Sequence, residues 1–185
     1  MSENVQNPFW QWSLERYNRK PVERSLLKLQ DECGFDVNVA LWCCWLAETR
    51  APLDETTLES AVEEKREWTA SVIHPLRAAR RYLKSIDDGI HADVARLRDH
   101  VKSAELDAEK HVQNLLFKFD QSSEPAKATN PAKSAIEYLS IYGKLLGAEK
   151  NPAFSKKLLQ DLVDNIFEPA QNAAGRGNIP AGKQE

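Results

Sequence analysis

Residues 37–46 read VNVALWCCWL, a stretch that would be apolar on every side if wound into a helix. A helix without a polar face must be covered on most of its circumference, so this segment is expected at the centre of a bundle. Asp36 is its natural N-cap, and Gly34 just before it closes an earlier helix.

The rest of the chain is patterned to surround that segment. Only 7 glycines occur in 185 residues, and nowhere do polar and apolar residues alternate as in a half-buried strand. The expected fold is all-α: a multi-helix bundle with an aromatic-rich N-terminal helical core, a long antiparallel helical hairpin and two C-terminal helices. The length favours one domain over residues 1–167, and the Ala-, Gly- and Pro-rich stretch 168–185 is expected to be a disordered tail.

Local punctuation places the helices. Asn7-Pro8, Asn130-Pro131 and Asn151-Pro152 each join a capping residue to the proline favoured at the first helical position. Asn7-Pro8 opens a short helix marked by Phe9, Trp12 and Tyr17. Pro21 opens the next, with Val22, Leu26, Leu29 and Cys33 on one face. Trp68, Val72, Leu76, Ala79, Leu83 and Ile86 form an apolar stripe that Pro75 is expected to kink or interrupt. After a reversal at Asp87-Asp88-Gly89, a second stripe runs Val94, Leu97, Val101, Ala104, Ala108, Val112, Leu115 and Phe119. Two long stripes joined by a tight turn predict the hairpin. A polar linker, 120–130, leads to the C-terminal helices, whose apolar faces hold Ile136, Leu139 and Tyr142, then Phe154, Leu158, Leu162 and Ile166.

Charge and composition narrow the function classes. Lys+Arg 25 against Asp+Glu 28 leave a net charge of −3, so no global field draws nucleic acid or an anionic membrane. The longest apolar run, Val39 to Ala47, is far short of the roughly 20 residues that span a bilayer. The first residues lack the basic and apolar regions of an export signal, and three cysteines (Cys33, Cys43, Cys44) do not suit a disulfide framework. A cytoplasmic protein with reduced thiols is expected. Gly-rich phosphate loops, nucleophile elbows, zinc-protease and EF-hand motifs are missing, and no histidine follows a Glu at the spacing of helical di-metal sites. No catalytic residue, metal or cofactor is expected, and Cys43 and Cys44 read as core residues.

Two constellations remain. Arg77, Arg80, Arg81 and Lys84 follow one another without an acid and lie along one side of their helix, beside Leu76, Ala79 and Leu83. Such a basic rim would bind an anion or an acidic partner, with His74 and Tyr82 as companions. As a plain solvated face it would instead pair with Glu59 to Glu67 or with Asp87 and Asp88. The other constellation is Trp10, Trp12 and Trp42 with the polar Gln30, Asp31 and Asn38 around them. It is either a core with register-fixing hydrogen bonds or the lining of a pocket that faces His74 to Arg81.

The leading expectation is a non-catalytic protein-interaction or adaptor protein using the basic rim. The alternative is a small-molecule-binding or enzymatic bundle with a pocket near His74 and the Trp-rich helices. A protein partner is expected, a small anionic ligand is compatible, and nucleic acid is disfavoured.

The segments FWQWSLERY (Phe9 to Tyr17), LLKLQDECGFDVN (Leu26 to Asn38), LWCCWLA (Leu41 to Ala47) and IHPLRAARRYLK (Ile73 to Lys84) together resemble a small proteobacterial family of uncharacterised proteins, catalogued as a domain of unknown function. The resemblance covers about the first half of the chain and is most specific in LQD-x-x-G-x-DVN. It implies a bacterial cytoplasmic protein and carries over no catalytic residue.

Overall fold

In the computed structural model, which describes residues 7–86, 92–120 and 130–167, every regular element is helical and no strand occurs among the described residues. Helix α1 (Pro8–Tyr17) begins where the Asn7 side chain accepts from the Trp10 amide. Helix α2 (Lys20–Cys33) ends on Gly34, whose φ of 75° is a left-handed conformation that glycine adopts without a Cβ clash. Helix α3 (Val37–Thr49) starts on Asp36, which accepts from the Asn38 and Val39 amides. These boundaries follow the local capping chemistry.

Helix α4 (Glu55–Glu64), capped by Asp54, leads to a short α5 (Arg66–Trp68), a π-helical turn (Thr69–Ile73) and α6 (His74–Ile86). Helix α7 (Ala92–Asp120) has 29 residues and is about 44 Å long at the standard rise. Helices α8 (Pro131–Leu145) and α9 (Lys156–Phe167) follow. The mostly apolar α3 lies against α1, α7 and α8, α2 rests on α9, and α6 pairs with α7.

Aromatic contacts knit this core: Trp12 meets Trp45 edge-on at 5.8 Å, and Phe35 contacts Tyr142 at 4.8 Å and Phe154 at 5.8 Å. Gly143 admits the Phe154 ring, which lies 2.5 Å from where a Cβ would stand. Cys43 and Cys44 are fully buried, and burial pushes both thiols up, so they stay neutral core groups.

At Pro75 the α-helical path is interrupted as expected, by one widened turn, Thr69–Ile73, after which α6 continues from His74. Proline has no N–H to offer Ser71, and the turn before it widens so that the His74 amide bonds the Thr69 carbonyl. The wider turn offsets the stripe that follows: Thr69, Ile73 and Leu83 are buried, Arg77 and Arg80 are half-buried, and Ala79 and Ile86 are exposed. One Asn-Pro expectation needs correction: Asn151-Pro152 does not start α9. It sits in a turn where Asn151 Nδ2 donates to the Glu32 carbonyl, and the helix starts at Lys156 after Ser155 Oγ accepts from the Leu158 amide at 3.2 Å. The reversal at Asp87-Asp88-Gly89, residues 121–129 of the linker and the tail 168–185 lie outside the described residues.

Candidate functional site

The hairpin sets a charged row of α6 against one of α7. Arg77 Nε lies 3.2 Å from Glu105 Oε1, and its Nη2 lies 2.6 Å from Glu109 Oε1. Arg80 forks onto Glu105 at 2.5 and 3.2 Å. Arg77 Nη1 also reaches Gln30 Oε1 of α2 at 3.4 Å. Glu105 is only 7% exposed, and both guanidinium groups compensate the desolvation of its charge.

The outward basic rim is therefore corrected. The offset register turns Arg77 and Arg80 inward onto Glu105 and Glu109, while Arg81 and Lys84 are exposed. The acids that meet the arginines come from α7, not from Glu59 to Glu67.

Between this hairpin and α1 to α3 lies a cleft of about 840 Å³. Helix α7 contributes Lys102, Leu106, Glu109 and Gln113, whose spacings of four, three and four keep them on one face over about 16 Å. The opposite wall is more apolar, with Trp10, Leu14 and Tyr17 from α1 and Leu27 from α2. The floor is polar and uncharged: Ser13, Asn38 and Gln113 are 1%, 4% and 3% exposed. Gln113 Nε2 donates to Asn38 Oδ1 at 2.8 Å, and Ser13 Oγ lies 2.7 Å from Gln113 Oε1. This network ties α1, α3 and α7 together at the base of the cleft, where an unmade hydrogen bond would be costly.

Of the residues singled out by sequence, Trp10, Gln30, Asn38, Arg77, Arg80 and Arg81 line this cleft. The others lie elsewhere. Trp12 packs at a tilt on Phe9 and edge-on against Trp45, and donates from Nε1 to Glu48 at 2.9 Å. Trp42 is wholly buried against Phe119. Asp31 is exposed and accepts from Gln30 Nε2 at 3.2 Å, and His74 and Lys84 are exposed outside the cleft. The site thus takes in Arg77, Arg80 and Arg81 but not His74, which stands one turn before Arg77 at the start of α6 and does not line the cleft. Sequence reasoning missed Glu105, Glu109 and Gln113. Their signal was present as a polar row spaced by four residues beside the α7 stripe.

Burial pushes the Glu109 carboxyl up, Arg77 only partly offsets this, and Glu105 and Asp36 add to it. A raised carboxyl favours the fold below its ordinary range, and that contribution is lost as pH rises through the raised value. Glu109→Gln keeps the shape without the charge. It is expected to unfold in urea at a midpoint no lower than the parent at pH 7, the advantage shrinking towards pH 4. A clearly lower midpoint at pH 7 would mean that the ion pair with Arg77 outweighs the cost of burying the charge.

Among the described residues, no group of three or more His, Cys, Asp or Glu side chains is placed to hold a metal ion, and no helix is long and apolar enough to cross a membrane. The cleft offers hydrogen-bonding groups at the floor, ion pairs on one wall and apolar side chains on the other.

No curated protein and no solved structure matches the chain. The family described as Protein of unknown function (DUF2390) matches residues 8–116, from α1 through most of α7, which includes every residue lining the cleft. With more than half its length inside that match, the chain belongs to this family.

Proposed function

We propose that this chain is a non-catalytic helical interaction protein that receives its partner in the cleft. One observation carries the reading: Leu27 and Leu106, 36% and 45% exposed, both line this one cleft. Single exposed leucines are ordinary, but apolar side chains gathered around one concavity favour a binding surface. The ion pairs beneath them are internally matched, so they order the wall and leave the leucines to provide contact area. The three buried, unbridged thiols fit the bacterial cytoplasm that the resemblance implies.

The test is Leu27→Glu combined with Leu106→Glu. Both sites are exposed, so each change should shift stability by only about 0.5 kcal/mol. Tagged parent and variant, shown to melt alike, are used to recover proteins from the cells that make the chain. The expected result is a partner that the parent retains and the variant loses; identical recoveries would sink the reading.

A second reading, a small-molecule site, is favoured by the buried Ser13, Asn38 and Gln113 floor and by a volume within the roughly 300–1,000 Å³ of ligand pockets. Thermal-shift screening of the parent against metabolite-sized compounds separates the two, since only this reading expects a hit that Asn38→Leu abolishes.

A further inference from the structure

We propose that the occupant of the cleft is an amphipathic helix of a partner protein, with acidic residues flanking its apolar stripe. This rests on the interaction reading and adds the partner's shape and charge.

Shape comes first. The α7 wall from Lys102 to Gln113 runs for about 16 Å, three turns of a helix, and is faced by the apolar Leu14, Tyr17 and Leu27. A trough with one apolar and one polar wall matches a helix whose anchors recur every three to four residues.

Charge follows from what is already paired. The lining holds four cations and four acids, which looks neutral. Glu105 and Glu109, however, are engaged by Arg77 and Arg80, and Glu23 is bonded to Lys20 at 2.8 Å. On the hairpin lip, among the described lining residues, Asp99 is then the remaining acid beside the exposed Arg81 and Lys102. On α2, Arg24 and Lys28 are exposed but do not line the cleft, and the exposed Asp31 and Glu32 lie three and four residues after Lys28, so this lip adds no clear excess of either sign. The hairpin lip is thus locally positive although the chain carries −3, which favours an acidic partner on that side and disfavours a basic one.

A second copy of this chain does not fit the description. Its own acid-rich helix, α4, has its apolar face turned to the core, with Leu58 and Ala61 at 0% and 1% exposure and Val62 packed beside them.

The test is selection of a phage-displayed library of helix-favouring peptides, about four turns long, on the full chain. The expected winners carry apolar residues at i, i+3 or i+4 and i+7 flanked by Asp or Glu. They should bind the Arg81→Glu, Lys102→Glu double variant at least tenfold more weakly in fluorescence anisotropy, and lose affinity as salt is raised. Winners with basic or uncharged flanks, or with unchanged affinity for the variant, overturn the inference and leave the cleft as an interaction site. Winners indifferent to Leu27→Glu and Leu106→Glu bind elsewhere, and with them the interaction reading falls as well. Displacement of the peptides by decanoate at lower concentration than an acidic helical peptide requires would assign the cleft to small amphipathic anions, and would also overturn the inference.

Discussion

Lys65→Ala is expected to lower folding stability by about 3 kcal/mol, because it strands a carboxylate that several elements share. Lys65 is 6% exposed and sits between α4 and α5, its Nζ 2.7 Å from Asp36 Oδ2. Asp36 also caps α3 through the Asn38 amide at 2.8 Å, and its own amide donates to the Tyr142 hydroxyl of α8 at 3.1 Å. One ion pair thus joins the α4–α5 junction, the start of the central helix and α8. Removing one member of a buried pair typically costs about 3–5 kcal/mol, and the 20% exposure of the Asp36 side chain places this case at the lower end. At roughly 2–4 °C per kcal/mol for a chain of this size, the melting midpoint should fall by about 6–12 °C. Lys65→Met with Asp36→Asn should lose less, since no charge is then left unpaired. A single variant as stable as the parent would show that water, and not Lys65, neutralises Asp36.

The same pair sets a pH dependence. Burial alone would raise the Asp36 carboxyl, but the Lys65 ammonium, the Asn38 amide and Arg77 outweigh it and hold the carboxyl below its ordinary range. A depressed carboxyl stabilises the fold above its ordinary range and loses that contribution as pH falls through the lowered value. The parent should therefore lose its advantage over Lys65→Ala on acidification below about pH 4. Glu109 works in the opposite direction, so the two acids are distinguishable in one series of urea titrations at stepped pH.

Neither Lys65 nor Glu109 stood out in the sequence, and the reason is physical. Caps and glycine stops act over a few residues, so Asn7, Gly34 and Asp36 place the first three helices correctly. The pairing of Lys65 with Asp36 spans 29 residues and leaves no local trace. The hairpin was legible as two stripes, but its register was not. Counting at the α-helical period through Pro75 puts Ala79 and Ile86 inside and leaves Arg77 and Arg80 outside, and the π turn reverses that assignment. Half of the site was visible in the same sense: Trp10, Gln30 and Asn38 combine aromatic and polar character near a mostly apolar helix, whereas Glu105 and Gln113 looked like ordinary polar positions beside a stripe. Trp12 and Trp42 were indistinguishable from Trp10 by composition, because what separates them is which neighbouring helix covers each ring.

Trp42 is where that distinction has the largest measurable effect. Its ring is wholly buried in α3 and meets Phe119 of α7 edge-on, at 6.3 Å and 71°. Truncation to Ala should leave a void in the core around α3 and cost about 3–5 kcal/mol, or roughly 6–20 °C in melting midpoint. Trp42→Phe should cost much less than its loss of volume implies. The indole Nε1–H is buried with no hydrogen-bond partner among the described residues, and deleting such a group returns about 1–3 kcal/mol. The comparison separates core from pocket, because a tryptophan lining an open cleft can be truncated with little loss of stability but not of binding. Trp42→Phe should bind an acidic helical peptide as the parent does, since the ring does not line the cleft. A Trp42→Ala variant within about 1 kcal/mol of the parent would instead mean that α3 is not enclosed on this side, and the central position assigned to the apolar helix would have to be given up.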